Sequence, residues 1–147
     1  MPKVYRGMFG DEGQPITGSD KNMLGVRLPP SEPPDMSPDV DGYVAPGTGG
    51  LSVSSAISQL PVPLIPKRYR NLDKKYKKAR GDDPLEVFRL GDLEFTQCQV
   101  SGDLSLVPDS FGHGTIQPTQ RILAQDFQTA LADTRNQWIL LQIPDGT

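Results

Sequence analysis

The sequence predicts an α+β fold, arranged as one loop-rich domain over residues 1–147. Several short apolar runs with strand-like spacing are separated by glycine and proline turns, and a later segment has apolar residues at helical spacing. Gly and Pro contribute 15 residues each. Because both interrupt regular structure, we expect short elements joined by long connections. A chain of about 150 residues normally builds one hydrophobic core.

The N-terminal third is predicted to open with a strand. Residues 4–9 (VYRGMF) favour β-structure, and a glycine-rich turn follows them. Residues 28–50 contain six prolines, which fix φ and remove amide donors, so an irregular excursion is expected there. Residues 51–54 (LSVS) alternate apolar and hydroxyl side chains at the strand period, which puts Ser52 and Ser54 on one face.

A strongly basic segment occupies the middle of the chain, after a short helix expected at 55–60. Residues 67–80 hold eight lysines and arginines against one acid, Asp73. Apolar residues recur within the segment at helical spacing, which predicts an amphipathic helix with a lysine-rich outer face, ended by Gly81. Two interpretations stay open: the basic side chains bind nucleic acid or an acidic partner, or they form a solvated helix face.

Further strands and one helix are predicted in the C-terminal half. Four short apolar runs separated by turn residues predict strands: 85–90, 93–100, 104–107 and 112–118. Thr119 then offers an N-cap oxygen to a helix whose apolar face runs to Thr134, with Trp138 on its extension. Residues 139–143 either continue this helix or turn back as a final strand.

Composition disfavours several functional classes. No apolar run approaches the roughly 20 residues that span a bilayer, and the N-terminus has no secretory h-region, so we expect a soluble, cytoplasmic protein without a classical export signal. Cys98 is the only cysteine and His113 the only histidine. This excludes an intramolecular disulfide and a His/Cys zinc cage, and no metal site is predicted. A Ser-His-Asp hydrolase is disfavoured because no G-x-S-x-G elbow is present.

Two single residues are candidates for ligand contact. The planar fork of Arg6 can hold a phosphate or carboxylate, and Gly7 would let a ligand approach the backbone; the alternative is an ordinary surface or ion-paired arginine. His113 is a candidate general base or hydrogen-bond donor, the alternative being a hydrogen-bonded structural residue. The G-x-G-x-x-S run at 47–52 follows a proline instead of a strand, so a flexible turn is favoured over a dinucleotide fingerprint.

Four motifs together resemble those of a known family. They are VYRG at 4–7, DGYVAPGTGGLSV at 41–53, HGTIQP at 113–118, and NQW at 136–138, which closes the predicted helix. In this order they resemble the small cytotoxic type VI secretion effectors, a family with relatives in fungi. The resemblance covers both ends and about half of the chain. The block at 41–53 is its most specific part.

The resemblance implies an ADP-ribosyltransferase-like split β-sandwich, with a few short helices and a C-terminal helix, that holds NAD in its cleft. It implies an NAD-dependent cytotoxic effector, delivered by a specialised secretion system, that transfers ADP-ribose from NAD to an intracellular protein or nucleic acid. A cognate immunity protein is implied too, since the producing cell must survive. The alternatives are an NAD glycohydrolase toxin, or an inactive NAD-fold binding module whose basic helix takes a nucleic-acid or protein partner.

The resemblance also gives individual residues roles in NAD binding and catalysis. Arg6, with Tyr5 beside it, matches the first-strand arginine that contacts the dinucleotide phosphates. Ser52 and Ser54 match a Ser-x-Ser strand that supports the nicotinamide pocket. Ser52 and His113 are the candidate catalytic residues, His113 as an orienting or acid–base group.

Two departures from the family pattern concern the same site. Leu51 stands where the family can carry a hydroxyl residue. No E-x-E or Q-x-E motif precedes the strand at 112–118. The acid that would steady the ribosyl cation or activate the acceptor is therefore unassigned, with candidates only within 94–99 (EFTQCQ).

Overall fold

The computed structural model describes residues 1–144, in which one curled antiparallel sheet dominates and one short α-helix forms, confirming the α+β class. The strands are β1 (Val4–Asp11), β2 (Gln14–Pro15), β3 (Tyr43–Val44), β4 (Leu51–Ser54), β5 (Leu85–Leu90), β6 (Cys98–Gln99), β7 (Leu104–Ser110), β8 (His113–Pro118), β9 (Ile122–Leu123) and β10 (Trp138–Leu141). The helix is α1 (Ala124–Ala132), and 3₁₀ turns form at Ile57–Gln59, Val62–Leu64, Lys67–Asn71, Lys74–Tyr76 and Arg135–Gln137. Within residues 1–144, no helix combines the length and the apolar character needed to traverse a bilayer.

The first strand, β1, lies at the centre of the main sheet. The strand order is β10-β5-β1-β4-β8-β7-β6, with β2 folding back on β1, while β3 and β9 form a separate pair. β1 pairs with β5 over six consecutive residue pairs. It pairs with β4 only at Tyr5 and Ser54. β1 is therefore paired along most of its length with β5 on one side, whereas on the other side it separates from β4 beyond a single residue pair.

The alternation of side chains along β1 divides the buried core into two clusters. Val4 and Met8 belong to a cluster that includes Phe127 of α1. Tyr5 belongs to the opposite cluster, which residues between 57 and 79 build over the other face of the sheet. Because both faces of β1 are covered, its side chains are removed from water on both sides, which is the main source of stabilisation in such a core.

Most predictions for the N-terminal half are confirmed. The strand expected at 4–9 forms as β1 and runs on to Asp11, and the strand expected at 51–54 forms as β4. The proline-rich stretch 28–50 is irregular apart from the two residues of β3. Its prolines withhold the amide donors that a longer strand would need. The short helix expected at 55–60 is a single 3₁₀ turn.

The basic segment does not form the predicted amphipathic helix. Two 3₁₀ turns, Lys67–Asn71 and Lys74–Tyr76, take its place. Asp73 separates them: its backbone is extended, and its carboxylate accepts the amide of Lys75, which starts a new turn. Gly81 forms a bridge to the start of the segment and does not end a helix.

The C-terminal elements differ from the prediction in their bounds. Of the run 93–100, only β6 is a strand, whereas the other three predicted strands form as β5, β7 and β8. Thr119 does not cap the helix, because β9 intervenes before α1 begins. Trp138 opens β10 and donates its indole N–H to the Thr134 hydroxyl (3.0 Å). Of the two alternatives for 139–143, the returning strand forms, so α1 is not the last element.

Candidate functional site

A cavity of about 270 Å³ opens where β1 and β4 separate. Its walls come from β1, β4, β8, the loop that includes residues 21–35, and the turn at 60–64. Four of the five site residues proposed from the sequence line it: Arg6, Ser52, Ser54 and His113. The three strands that carry these residues are distant in the chain, and only the folded sheet brings them together.

Arg6 spans the gap between β1 and β4, and only 8% of it is exposed. Its Nη1 donates to the Ser52 carbonyl (2.8 Å) and its Nη2 to the Met23 carbonyl (3.0 Å). The buried Nε has no hydrogen-bond partner among residues 1–144. Burial lowers the pKa of Arg6 to about 10, so the side chain remains a cation at neutral pH. Arg6 therefore places an incompletely bonded cation in the cavity wall.

The two serines of β4 share one face, as their spacing predicts. Both line the cavity, where Ser52 lies opposite Thr115 and Ser54 lies opposite His113 on β8. Ser52 is exposed. Ser54 is buried, and its hydroxyl donates to the Gln59 carbonyl over a long 3.4 Å. Ser52 is thus the more available of the two for a ligand.

His113 is paired with a carboxylate at the rim of the cavity. Its Nδ1 lies 2.7 Å from Asp109 Oδ1, and the side chains are 34% and 47% exposed, respectively. The hydrogen bond from His113 lowers the pKa of Asp109, so this carboxylate is ionised at neutral pH. The ring therefore has a fixed acceptor on one side and the cavity beside it.

The lining of the cavity carries net positive charge. Arg6, Lys21 and Arg27 are its cations, and Asp35 is the only carboxylate among the described lining residues. Asp35 is engaged by Arg27 through Nη2 (3.0 Å), Nε (3.3 Å) and the backbone amide (2.7 Å), and this bonding raises the pKa of Arg27. Arg6 and Lys21 supply the remaining charge, which suits an anionic group such as a phosphate.

Three residues or segments expected near the ligand lie elsewhere or serve another purpose. Tyr5 is fully buried in the second core cluster and does not line the cavity. The space beside Gly7 is occupied by the backbone of Leu64 and not by a ligand, because an added Cβ at Gly7 would stand 2.5 Å from the Leu64 carbonyl oxygen. Residues 94–99 include β6 at the far edge of the sheet, and none of them contributes to the lining.

Sequence reasoning missed Lys21, Arg27, Asp35 and Asp109. The first three lie in irregular connections, where no periodicity marks which side chains turn inwards. Asp109 carried a usable signal, since an Asp four residues before the only histidine, across a glycine turn, can fold back on it.

A larger hollow of about 600 Å³ lies beside α1. Three aspartates contribute to its lining: Asp103, Asp126 and Asp133. It contains none of the predicted site residues, and its acidic rim would repel a phosphate. The smaller, cationic cavity at the splay between β1 and β4 is therefore the candidate site.

Comparison with known proteins adds no relative from which a role could be transferred. No family model matches the chain, and no curated protein is significantly similar to it. A function for this chain therefore follows from its own motifs and from the chemistry of the cavity.

Proposed function

We propose that the chain is an NAD-dependent toxin, a mono-ADP-ribosyltransferase that binds NAD at the splay between β1 and β4 and modifies an intracellular target. The observation that carries this proposal is the convergence of Arg6, Ser52, Ser54 and His113 on one cationic cavity. The splayed antiparallel sheet is compatible with the split β-sandwich that the motifs imply. A toxin of this kind also requires a cognate immunity protein in the cell that makes it.

Two adjoining cavities suit the two halves of a dinucleotide. The main cavity of about 270 Å³ shares Lys21, Asn22 and Leu64 with a second one of about 220 Å³. Pockets for drug-sized ligands usually measure about 300–1,000 Å³, so neither compartment alone matches a whole dinucleotide. We assign the nicotinamide riboside to the compartment with Ser52 and His113, and the phosphates to Arg6 and Lys21.

The proposed reaction breaks the bond between nicotinamide N1 and ribose C1′. Nicotinamide leaves with the bonding electron pair, while an oxygen of the acceptor bonds to C1′ and gives up its proton. Arg6 and Lys21 hold the phosphates so that C1′ faces the acceptor, and His113 stands where that proton is released. A macromolecular acceptor gives ADP-ribosylation. Water gives an NAD glycohydrolase, the alternative toxin chemistry.

NAD carrying separate labels on nicotinamide and on the adenylate distinguishes these outcomes. The protein is incubated with it in the presence and absence of cell lysate. Nicotinamide release with transfer of the adenylate label to a protein or nucleic acid is the expected result. Release without transfer identifies a glycohydrolase. If nicotinamide is not released and no label is transferred, the proposal of an NAD-cleaving enzyme is contradicted.

Ser52→Ala is expected to lower kcat/KM for nicotinamide release about tenfold, since one hydrogen bond to the ligand is worth about 1–1.5 kcal/mol. The melting temperature should be unchanged because the Ser52 side chain is exposed. Ser101→Ala is the matched control, an exposed serine outside this cavity. Equal rates in the two variants would remove Ser52 from the site.

A second candidate function is a binding module that keeps the cavity without catalysis and uses the basic segment 67–80 for a partner. All eight lysines and arginines of the segment are exposed. Buried Tyr69, Tyr76 and Ala79 fix the segment against the sheet. Since both of its aromatic rings are buried, bases cannot stack on them, and contacts would be made with phosphates, as on a nucleic-acid duplex.

Replacing four exposed lysines with glutamine tests this second candidate: Lys74, Lys75, Lys77 and Lys78. If the segment binds duplex nucleic acid, affinity for a duplex RNA or DNA probe should fall, and the slope of log K against log salt should shrink by about 3–4. Lys3→Gln serves as a single-charge control outside the segment. If the protein binds neither duplex, or if its binding to both is insensitive to salt, the result would argue against a nucleic-acid partner.

A further inference from the structure

A β-bulge in β7 turns Asp109 towards His113. β7 and β8 pair regularly from Leu104 as far as Pro108 and Gly114, and then the register shifts so that Ser110 lies opposite His113. Asp109 is the extra residue at this shift. Bulges redirect a side chain that would otherwise follow the strand alternation, and they are common beside active sites. Here the result is the 2.7 Å contact between Asp109 Oδ1 and His113 Nδ1.

The contact determines where the imidazole proton lies. An ionised carboxylate can only accept hydrogen bonds, so Nδ1 must carry the hydrogen that it donates to Asp109. In the neutral ring, Nε2 then has a free lone pair. The His113 ring makes no second hydrogen bond within residues 1–144. The Ser110 hydroxyl also donates to Asp109 Oδ1 (3.2 Å), which helps to hold the carboxylate in place.

We propose that Asp109 is a positioning residue that holds His113 in the Nδ1–H tautomer, so that Nε2 acts as the general base of the NAD-cleaving reaction. This rests on the proposed function. Nε2 takes the proton from the acceptor hydroxyl or water as its oxygen bonds to C1′ and nicotinamide departs with the electron pair of the broken bond. His113 becomes an imidazolium, which Asp109 stabilises.

The Asp109–His113 pair supplies a general base. Among the described residues that line the cavity, no other unengaged base is present. Asp35, the only carboxylate among the described lining residues, is held by three hydrogen bonds from Arg27. Glu94, the one acid within 94–99, is outside the cavity. The charged groups that share the cavity with His113 from other elements are Arg6, Lys21, Arg27 and Asp35.

The test exploits the fact that His113 is the only histidine in the chain. Imidazole ¹⁵N chemical shifts therefore report on this ring alone, and the Nδ1–H tautomer is expected in the unaltered chain. Asp109→Asn should shift the ring towards a mixture of tautomers. It should also lower kcat for nicotinamide release at least tenfold, with the KM for NAD changed by less than twofold. Asp103→Asn, at an exposed aspartate in the turn between β6 and β7, should change neither the tautomer nor kcat.

A second measurement requires no variant. In the unaltered chain, kcat/KM should fall with decreasing pH at the point where NMR detects protonation of His113. The roles proposed for Asp109 and His113 would be overturned if Asp109→Asn left the tautomer and kcat unchanged, or if the pH profile of activity did not follow the protonation of His113. Either result would leave the proposed function standing. No nicotinamide release from the unaltered chain would overturn the proposed function and the base together.

Discussion

Arg6→Ala is expected to weaken NAD binding about 100-fold and to lower kcat/KM for nicotinamide release by a similar factor. Charge-assisted hydrogen bonds are worth about 1.5–3 kcal/mol, and about 2.7 kcal/mol corresponds to a factor of 100. The substitution removes a cation from the cavity wall and with it the buried Nε, which has no hydrogen-bond partner among residues 1–144. It also removes the two bonds that link β1 to Ser52 and Met23. Titration calorimetry with NAD and steady-state kinetics measure the two effects.

A matched control separates ligand contact from loss of structure. Arg135 also joins distant parts of the chain, donating to the Pro15 carbonyl (2.7 Å) and to Gln14 Oε1 (2.6 Å), but it does not line the cavity. Arg135→Ala should lower the melting temperature without weakening NAD binding. Arg6→Lys should restore little of the affinity, because an ammonium group cannot replace the planar fork. Equal NAD affinity in Arg6→Ala and Arg135→Ala would rule out a ligand contact by Arg6.

Gly7→Ala is expected to destabilise the fold by about 2–3 kcal/mol and lower the melting temperature by about 5–10 °C. The added Cβ would stand 2.5 Å from the carbonyl oxygen of Leu64, which is backbone and cannot rotate away. Because Leu64 forms part of both cavities, the displaced turn should also reduce NAD affinity. Thermal unfolding followed by circular dichroism gives the first effect.

Gly102→Ala is the control for the glycine substitution. An added Cβ at Gly102 would have no neighbour within 4 Å, so this variant should melt close to the unaltered protein. If Gly7→Ala melted at the same temperature as Gly102→Ala, the close approach of Leu64 to β1 would not be a constraint on the fold.

The strands that build the cavity could be predicted because their signals are local. The run at 4–9 and the alternation at 51–54 each specify a strand within a few residues, and the period of two already placed Ser52 and Ser54 on one face. Arg6 was identified by its residue type and its position in the first strand. Its partners could not be identified, since the Met23 carbonyl lies in an irregular loop.

The failures occurred where a local cap or pairing between distant strands outweighed the periodicity of the apolar residues. The spacing of Tyr69, Leu72 and Tyr76 is typical of a helix, yet the Asp73 cap breaks the segment into two turns and leaves Leu72 exposed. Trp138 was expected on the extension of the helix face, but it lies in β10, where it pairs with Leu90 of β5. The Asp109 bulge depends on the register between β7 and β8, which the sequence of one strand cannot specify.

The central position of β1 has a consequence for the order of assembly. β1 precedes every other strand within residues 1–144, yet its neighbours β4 and β5 begin only at Leu51 and Leu85. Strands that pair across long separations form late, because the cost of loop closure precedes the gain from contacts. A nascent chain that ends before His113 lacks one wall of the cavity. The proposed toxicity would thus require synthesis to have passed His113, so a neutralising partner is needed only once β8 has been made.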